Sequence, residues 1–254
     1  MFHTTFNIIL AIIRTPLLGV LLKVLHRMFP AHASELHLAI DSINTTLPEE
    51  VIHALEKDTK ELLTRVEQYN RHVLYLDHTA HYPQKTHDDY AIIKQMEEKL
   101  LKYIITSHTF ELNQEQSHQI HVLNDIIIQA LTSSKDLKDI QHHIINLKDE
   151  SIQHPLLADS LHFFQEMMQK TSESIHSLNN ATTAESNGES LETTLTMLHA
   201  NDDFYLENIT TKRNATEINS VNISEVIKTN RYVLLSCDSL LKSYIDYTPY
   251  VSKY

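Results

Sequence analysis

From Ile52 onward the apolar residues of this chain recur at alternating steps of three and four. Ile52, Leu55, Thr59, Leu62, Val66, Tyr69, Val73, Leu76 and Ala80 trace one stripe, the period of a helix that buries a single face. Pro48-Glu49-Glu50 opens this helix with proline in the first turn and acids at the positive end of the dipole. Tyr82-Pro83 is read as its end. A second helix is expected from about Asp88 to Phe110, with Ile93, Met96, Leu100, Tyr103 and Phe110 inward. Asn113 reads as the cap of a long third helix carrying Ile120, Leu123, Ile127, Ala130, Leu137 and Ile144, which stops near His154-Pro155.

A fourth stripe takes Leu157, Leu161, Phe164, Met168, Thr171, Ile175 and Leu178. Asn179 to Glu189 is polar, contains Gly188 and reads as a loop. The fifth helix shows Leu191, Leu195, Leu198, Tyr205 and Ile209. The sixth shows Ile223, Ile227, Asn230, Leu234, Cys237, Leu241 and Tyr244, before Thr248-Pro249 and a short tail. No strand alternation of useful length occurs. The fold class expected is therefore all-α, a bundle of about six helices in two three-helix halves, 48–154 and 155–254.

Composition agrees. Two Gly, six Pro and no Trp in 254 residues leave little of the punctuation that hairpins and sandwiches need. A formal charge of −12 argues against a nucleic-acid partner, since phosphate binding needs a basic face. The single cysteine, Cys237, excludes an internal disulfide and fits a reducing compartment. The Asn-x-Ser/Thr triplets at Asn44, Asn180, Asn208, Asn214 and Asn222 are what chance gives in a chain rich in these residues.

Met1–Pro30 is different in kind. Two apolar runs, Phe6 to Ile13 and Leu17 to Leu22, are joined by Arg14-Thr15-Pro16. About twenty mostly apolar residues suffice to cross a hydrocarbon core roughly 30 Å thick. Arg14 in mid-span costs ~2.5–3.5 kcal/mol on insertion scales, and Pro16 kinks the helix; both suit a helix packed against other membrane helices. Lys23, His26 and Arg27 follow, which places the rest of the chain in the cytoplasm by the positive-inside rule. Two other readings stay open. Ala31-His32-Ala33 imitates a signal-peptidase site, although charge before the apolar region is missing, and the segment could be a buried helix of a soluble protein. On the membrane reading, 1–30 is a membrane-type helix, 31–47 a connector and 48–254 the helical domain.

The opening, with His3, Phe6-Asn7 and Pro16, resembles the last membrane helix of bacterial sodium/phosphate cotransporters. The remainder resembles the PhoU-like helical domain that follows the membrane part of those proteins. The matching residues are Ser133-Ser134-Lys135-Asp136 with Ile140 and Ile144-Ile145-Asn146-Leu147, then Asn222-Ile223-Ser224, Asn230-Arg231 and Ser236 to Leu241. The transport-carrying helices of the family have no counterpart in this sequence. The resemblance thus implies a truncated or detached C-terminal part, incompetent for transport alone. It also implies a non-catalytic regulator at the bacterial inner membrane whose partner is a transporter membrane domain. The alternative is a helical scaffold that docks to a partner or a membrane surface through its N-terminal helix.

PhoU proteins hold metal through an acid followed four residues later by Asp, a spacing this sequence lacks. Its nearest approach is Asp203 and Glu207 with His199, which share a helical face, and a solvated acidic face is the expected reading. Asp202 and Asn230 fall on or beside apolar stripes, where a polar residue fixes register at a cost in stability. His142-His143 beside Asp139 reads as surface, and Cys237 as a small core residue. Gly19 and Gly188 are too far apart for a phosphate loop. No catalytic, cofactor-binding or metal-ligating residue is assigned, and no cofactor is expected.

Overall fold

Among the described residues, which are 36–42, 47–77, 82–107, 109–178, 184–213 and 220–251, the computed structural model contains six α-helices, one 3-10 turn and no strand. The helices are α1 (Pro48–Val73), α2 (Tyr82–Ser107), α3 (Gln114–Ser151), α4 (Pro155–Leu178), α5 (Ala184–Arg213) and α6 (Ser220–Val251). The chain divides into two units, Met1–Leu36 and His37–Tyr254, and all six helices belong to the second. No helix among the described residues is long and apolar enough to cross a membrane. Met1–Pro30, where the sequence places its membrane helix, lies outside them.

The stripes expected from sequence are the buried faces. Leu55, Leu62, Val66, Tyr69 and Val73 of α1 have no exposed surface, nor do Leu123, Ile127, Ala130, Leu137 and Ile144 of α3. Each such large apolar side chain contributes about 1.5–3 kcal/mol through removal from water. The connector joins the core as well: Leu38 and Ile40 are buried, and Asp58 of α1 accepts from the backbone N–H groups of Ala39 (2.8 Å) and Ile40 (3.0 Å). Burial pushes the Asp58 carboxyl up, while those two N–H groups pull it back down. They fasten the 3-10 turn Ala39–Ser42 to α1.

Several helix ends differ from the sequence reading. The α1 stripe runs on to Ala80, yet the helix stops at Val73. Tyr75 N–H donates to the His72 carbonyl at 3.1 Å and Leu76 N–H to the Arg71 carbonyl at 3.0 Å, the double closure of a Schellman turn. Tyr75 takes the required left-handed conformation, with φ 58°, at a cost of about 1–2 kcal/mol for a residue with a Cβ. Lys148 of α3 compensates by placing Nζ 3.4 Å from the Tyr75 ring centroid. With α1 ended early, Tyr82-Pro83 begins α2 rather than closing α1, because proline fits a helix's first turn.

Asn113 is the cap expected. Its Oδ1 accepts from Gln116 N–H at 2.8 Å and Gln116 Oε1 accepts from Asn113 N–H at 3.1 Å, a complete capping box. Gly188, by contrast, does not sit in a loop: α5 starts at Ala184 and runs through it, since one glycine costs a helix only about 1 kcal/mol. Thr248-Pro249 does not end α6, which continues to Val251 with proline in its last turn.

Packing is organised around four inner helices. α1, α3, α4 and α6 each touch the other three, and the most extensive contact runs along α3 and α6. Among the described helices, α2 packs on α1 and α3 alone, and α5 on α4 and α6 alone. The paired residues Gln129–Asp246, Ser133–Ser236 and His143–Glu225 descend on α6 as they ascend on α3, so the two helices run antiparallel. Replacing Asn113 by Ala should lower stability by about 1 kcal/mol in urea unfolding, with helix content in the folded baseline unchanged.

Candidate functional site

The polar seam where α1, α3 and α6 meet is the most developed chemical feature of the bundle. Asn70, Ser133 and Ser236 are all buried, with at most 1% of their surface exposed. Asn70 Nδ2 donates to Ser133 Oγ at 2.8 Å and to Ser236 Oγ at 3.2 Å. Ser133 Oγ donates to the Ser236 carbonyl at 2.8 Å, and Ser236 Oγ donates to the Ser133 carbonyl at 2.9 Å. Every hydroxyl thus has one donated and one accepted bond, with both Asn70 protons used. A serine hydroxyl reaches a neighbouring helix's carbonyl only where the backbones approach closely. The small side chains at 133 and 236 permit that approach.

The sequence reading missed this trio as a constellation. A signal was there: Ser133 interrupts the apolar series between Ala130 and Leu137, and Ser236 adjoins Cys237 on the inner stripe. Asn70 follows Tyr69 at the edge of its stripe. The sequence reading places polar residues on or beside apolar stripes at Asp202 and Asn230. Those two do meet: Asn230 Nδ2 donates to Asp202 Oδ1 in a buried contact between α5 and α6, as a register-fixing pair should.

Of the two adjacent histidines read as surface, His142 is exposed and His143 is not. His143 is not a surface residue; its side chain is 14% exposed and Nδ1 pairs with Glu225 across the α3–α6 contact. His142 lies beside it, ring centroids 3.7 Å apart and planes tilted by 41°. His199 turns to α6, with Nε2 3.1 Å from Asp238 Oδ1, while Lys242 Nζ holds the other oxygen of that carboxylate at 2.7 Å. Asp203 and Glu207 are exposed, so the helical face that aligned His199 with them gathers no site. Among the described residues, no group of three or more His, Cys, Asp or Glu could hold a metal ion. Two further histidines tie helices together: His72 Nδ1 lies 2.7 Å from Asp89 on α2, and His176 of α4 places Nε2 3.1 Å from the buried Glu67 of α1. Spacing within one helix could not show these pairs, because each partner sits on another helix.

Cys237 is fully buried, and burial pushes its thiol up to about 12. A thiol so far from ionisation is no nucleophile at neutral pH. Asp136, half-buried on α3, is pushed up to about 6, first by burial and then by the neighbouring charge of Asp139. Among the described residues, these side chains carry helix-to-helix contacts, and no nucleophile, base and oxyanion donor are assembled together. No family model, no curated protein and no solved structure matches the chain.

Two measurements follow from these residues. Asn70→Ala removes a side chain that donates to both serines, and should cost about 2–3 kcal/mol of stability in urea unfolding. Asp136 binds its proton more tightly in the folded chain than at the ordinary 3.8. Its contribution therefore favours folding below about pH 4 and is lost as pH rises through about 6. Asp136→Asn should raise stability at pH 7 by about 1 kcal/mol, allowing for the water that half-exposure admits, and change little at pH 4.

Proposed function

We propose that this chain is a PhoU-like, non-catalytic regulatory domain linked to sodium-dependent phosphate transport. It acts on the cytoplasmic face of the bacterial inner membrane, reached through Met1–Pro30, and its partner is a transporter membrane domain. The observation that carries this reading is the packing of two helix triples, α1–α2–α3 and α4–α5–α6, through α3 and α6. The seam of that packing contains Ser133 and Ser236, which belong to the two stretches that resemble the PhoU-like domain. Regulation on this reading is helix packing: the bundle binds one conformation of the transporter more tightly than another and shifts the population toward it. The buried, high-pKa thiol of Cys237 supports a role without covalent chemistry.

The competing reading is a helical scaffold. It draws support from large apolar side chains left in water away from the seam, Ile152 at 86% and Ile105 at 70% exposed. Alkaline carbonate extraction of membranes separates the two, using the full chain and the chain lacking residues 1–30. The regulator reading expects the full chain to stay with the membrane, the shortened one to wash off, and co-expression with a sodium/phosphate transporter membrane domain to change sodium-dependent phosphate uptake. A full chain that washes off, with uptake unchanged, leaves the scaffold.

A further inference from the structure

Away from the seam, α4 and α5 enclose a groove of about 430 Å³, within the roughly 300–1,000 Å³ typical of small-molecule sites. Its wall is aromatic. Phe163 and Tyr205 stack face to face, ring centroids 4.2 Å apart and planes within 4°. Phe204 lines the same groove yet is 68% exposed, an uncommon position for a phenylalanine beside a cavity. Leu156 and Ile209 add apolar surface.

The charge is one-sided. Asp159 and Glu166 line the groove from α4, two turns apart on one helical face, and among the described residues no lysine or arginine lines it. Glu166 has His162 Nδ1 at 3.7 Å as its neighbour, exposed at the same rim. Asn208 donates Nδ2 to the Phe204 carbonyl at 2.9 Å, which leaves its Oδ1 as a further acceptor. Aromatic faces and carboxylates both attract a cation: the rings through their quadrupoles, the carboxylates through charge-assisted hydrogen bonds. The two carboxylates repel an anion, and a neutral apolar molecule uses the rings alone.

We propose that the α4–α5 groove is a binding site for a small organic cation, its ammonium group held by Asp159 and Glu166 and its apolar body laid against Phe163 and Phe204. The site is independent of the seam and of any transporter partner. It faces solvent and draws every lining residue from α4, α5 and the residues beside them.

Tryptamine is a direct probe, because the chain contains no tryptophan and indole fluorescence can be excited where tyrosine does not absorb. Titrating the full chain into tryptamine should give a saturable rise in anisotropy. Neutral indole should bind at least about tenfold more weakly, and indole-3-acetate should not bind. The double variant Asp159→Asn, Glu166→Gln should weaken tryptamine binding by about tenfold or more, and Phe204→Ala by several-fold. All three positions are exposed, so melting temperatures should stay at the wild-type value. Absence of saturable binding, equal binding of indole and tryptamine, or carboxylate variants that bind as the wild type does would each overturn the assignment.

Discussion

The reciprocal serine bonds between α3 and α6 set a constraint that the other packing must satisfy. Each hydroxyl uses the second lone pair of a carbonyl already committed to its own helix. Register along the longest contact in the bundle is therefore fixed to one residue: a slip in either direction would leave two buried hydroxyls without acceptors, at about 1–3 kcal/mol each. Asn70 extends that constraint to α1. It lies in the last turn before the Schellman closure, so the point where α1 ends and the point where it is pinned are one region. The left-handed Tyr75 follows from this. The chain must leave α1 immediately past Asn70 to reach α2, and Leu74, buried at the turn, gives its carbonyl to Gln165 of α4 at 2.9 Å.

The four-helix interior also explains the distribution of polar contacts. Hydrogen-bonded pairs occur where inner helices meet, buried at Asn70–Ser133–Ser236 and part-buried at His143–Glu225, and where an outer helix joins an inner one, buried at Asp202–Asn230 and part-buried at His72–Asp89. Apolar packing alone is permissive of rotation and sliding, whereas a buried polar pair has one geometry in which it is satisfied. A bundle made mostly of Leu and Ile stripes gains its single arrangement from these few positions.

Helix existence and inward faces were legible in the sequence because both depend on periodicity, which is local. Ile52 through Val73, Leu157 through Leu178 and the Asn113 cap are all found where the spacing puts them. Three boundaries were not legible. The stripe from Val73 to Ala80 keeps helical spacing although the chain turns, because a Schellman turn with tyrosine at its left-handed position carries no glycine signal. Pro83 reads equally as a stop or a start, and only the position of the preceding helix decides between them. Gly188 and its polar neighbours have the composition of a loop but lie inside α5. The seam and the histidine pairs were hidden for another reason: their members are tens of residues apart, and no one-dimensional spacing relates Asn70 to Ser236 or His176 to Glu67.

That, among the described helices, α2 and α5 each touch only two others, while the inner four touch at least three, has a dynamic consequence. Opening energies within a fold follow the number of neighbours a segment must abandon, so amide exchange should rank the outer helices below the inner ones as separate cooperative units. α5 carries one wall of the aromatic groove and α4 the other, so the groove lies on the boundary between a loosely and a tightly held layer. Occupying it would add to the interactions that α5 loses on opening, and so couple a surface binding event to the lifetime of a whole helix against the bundle.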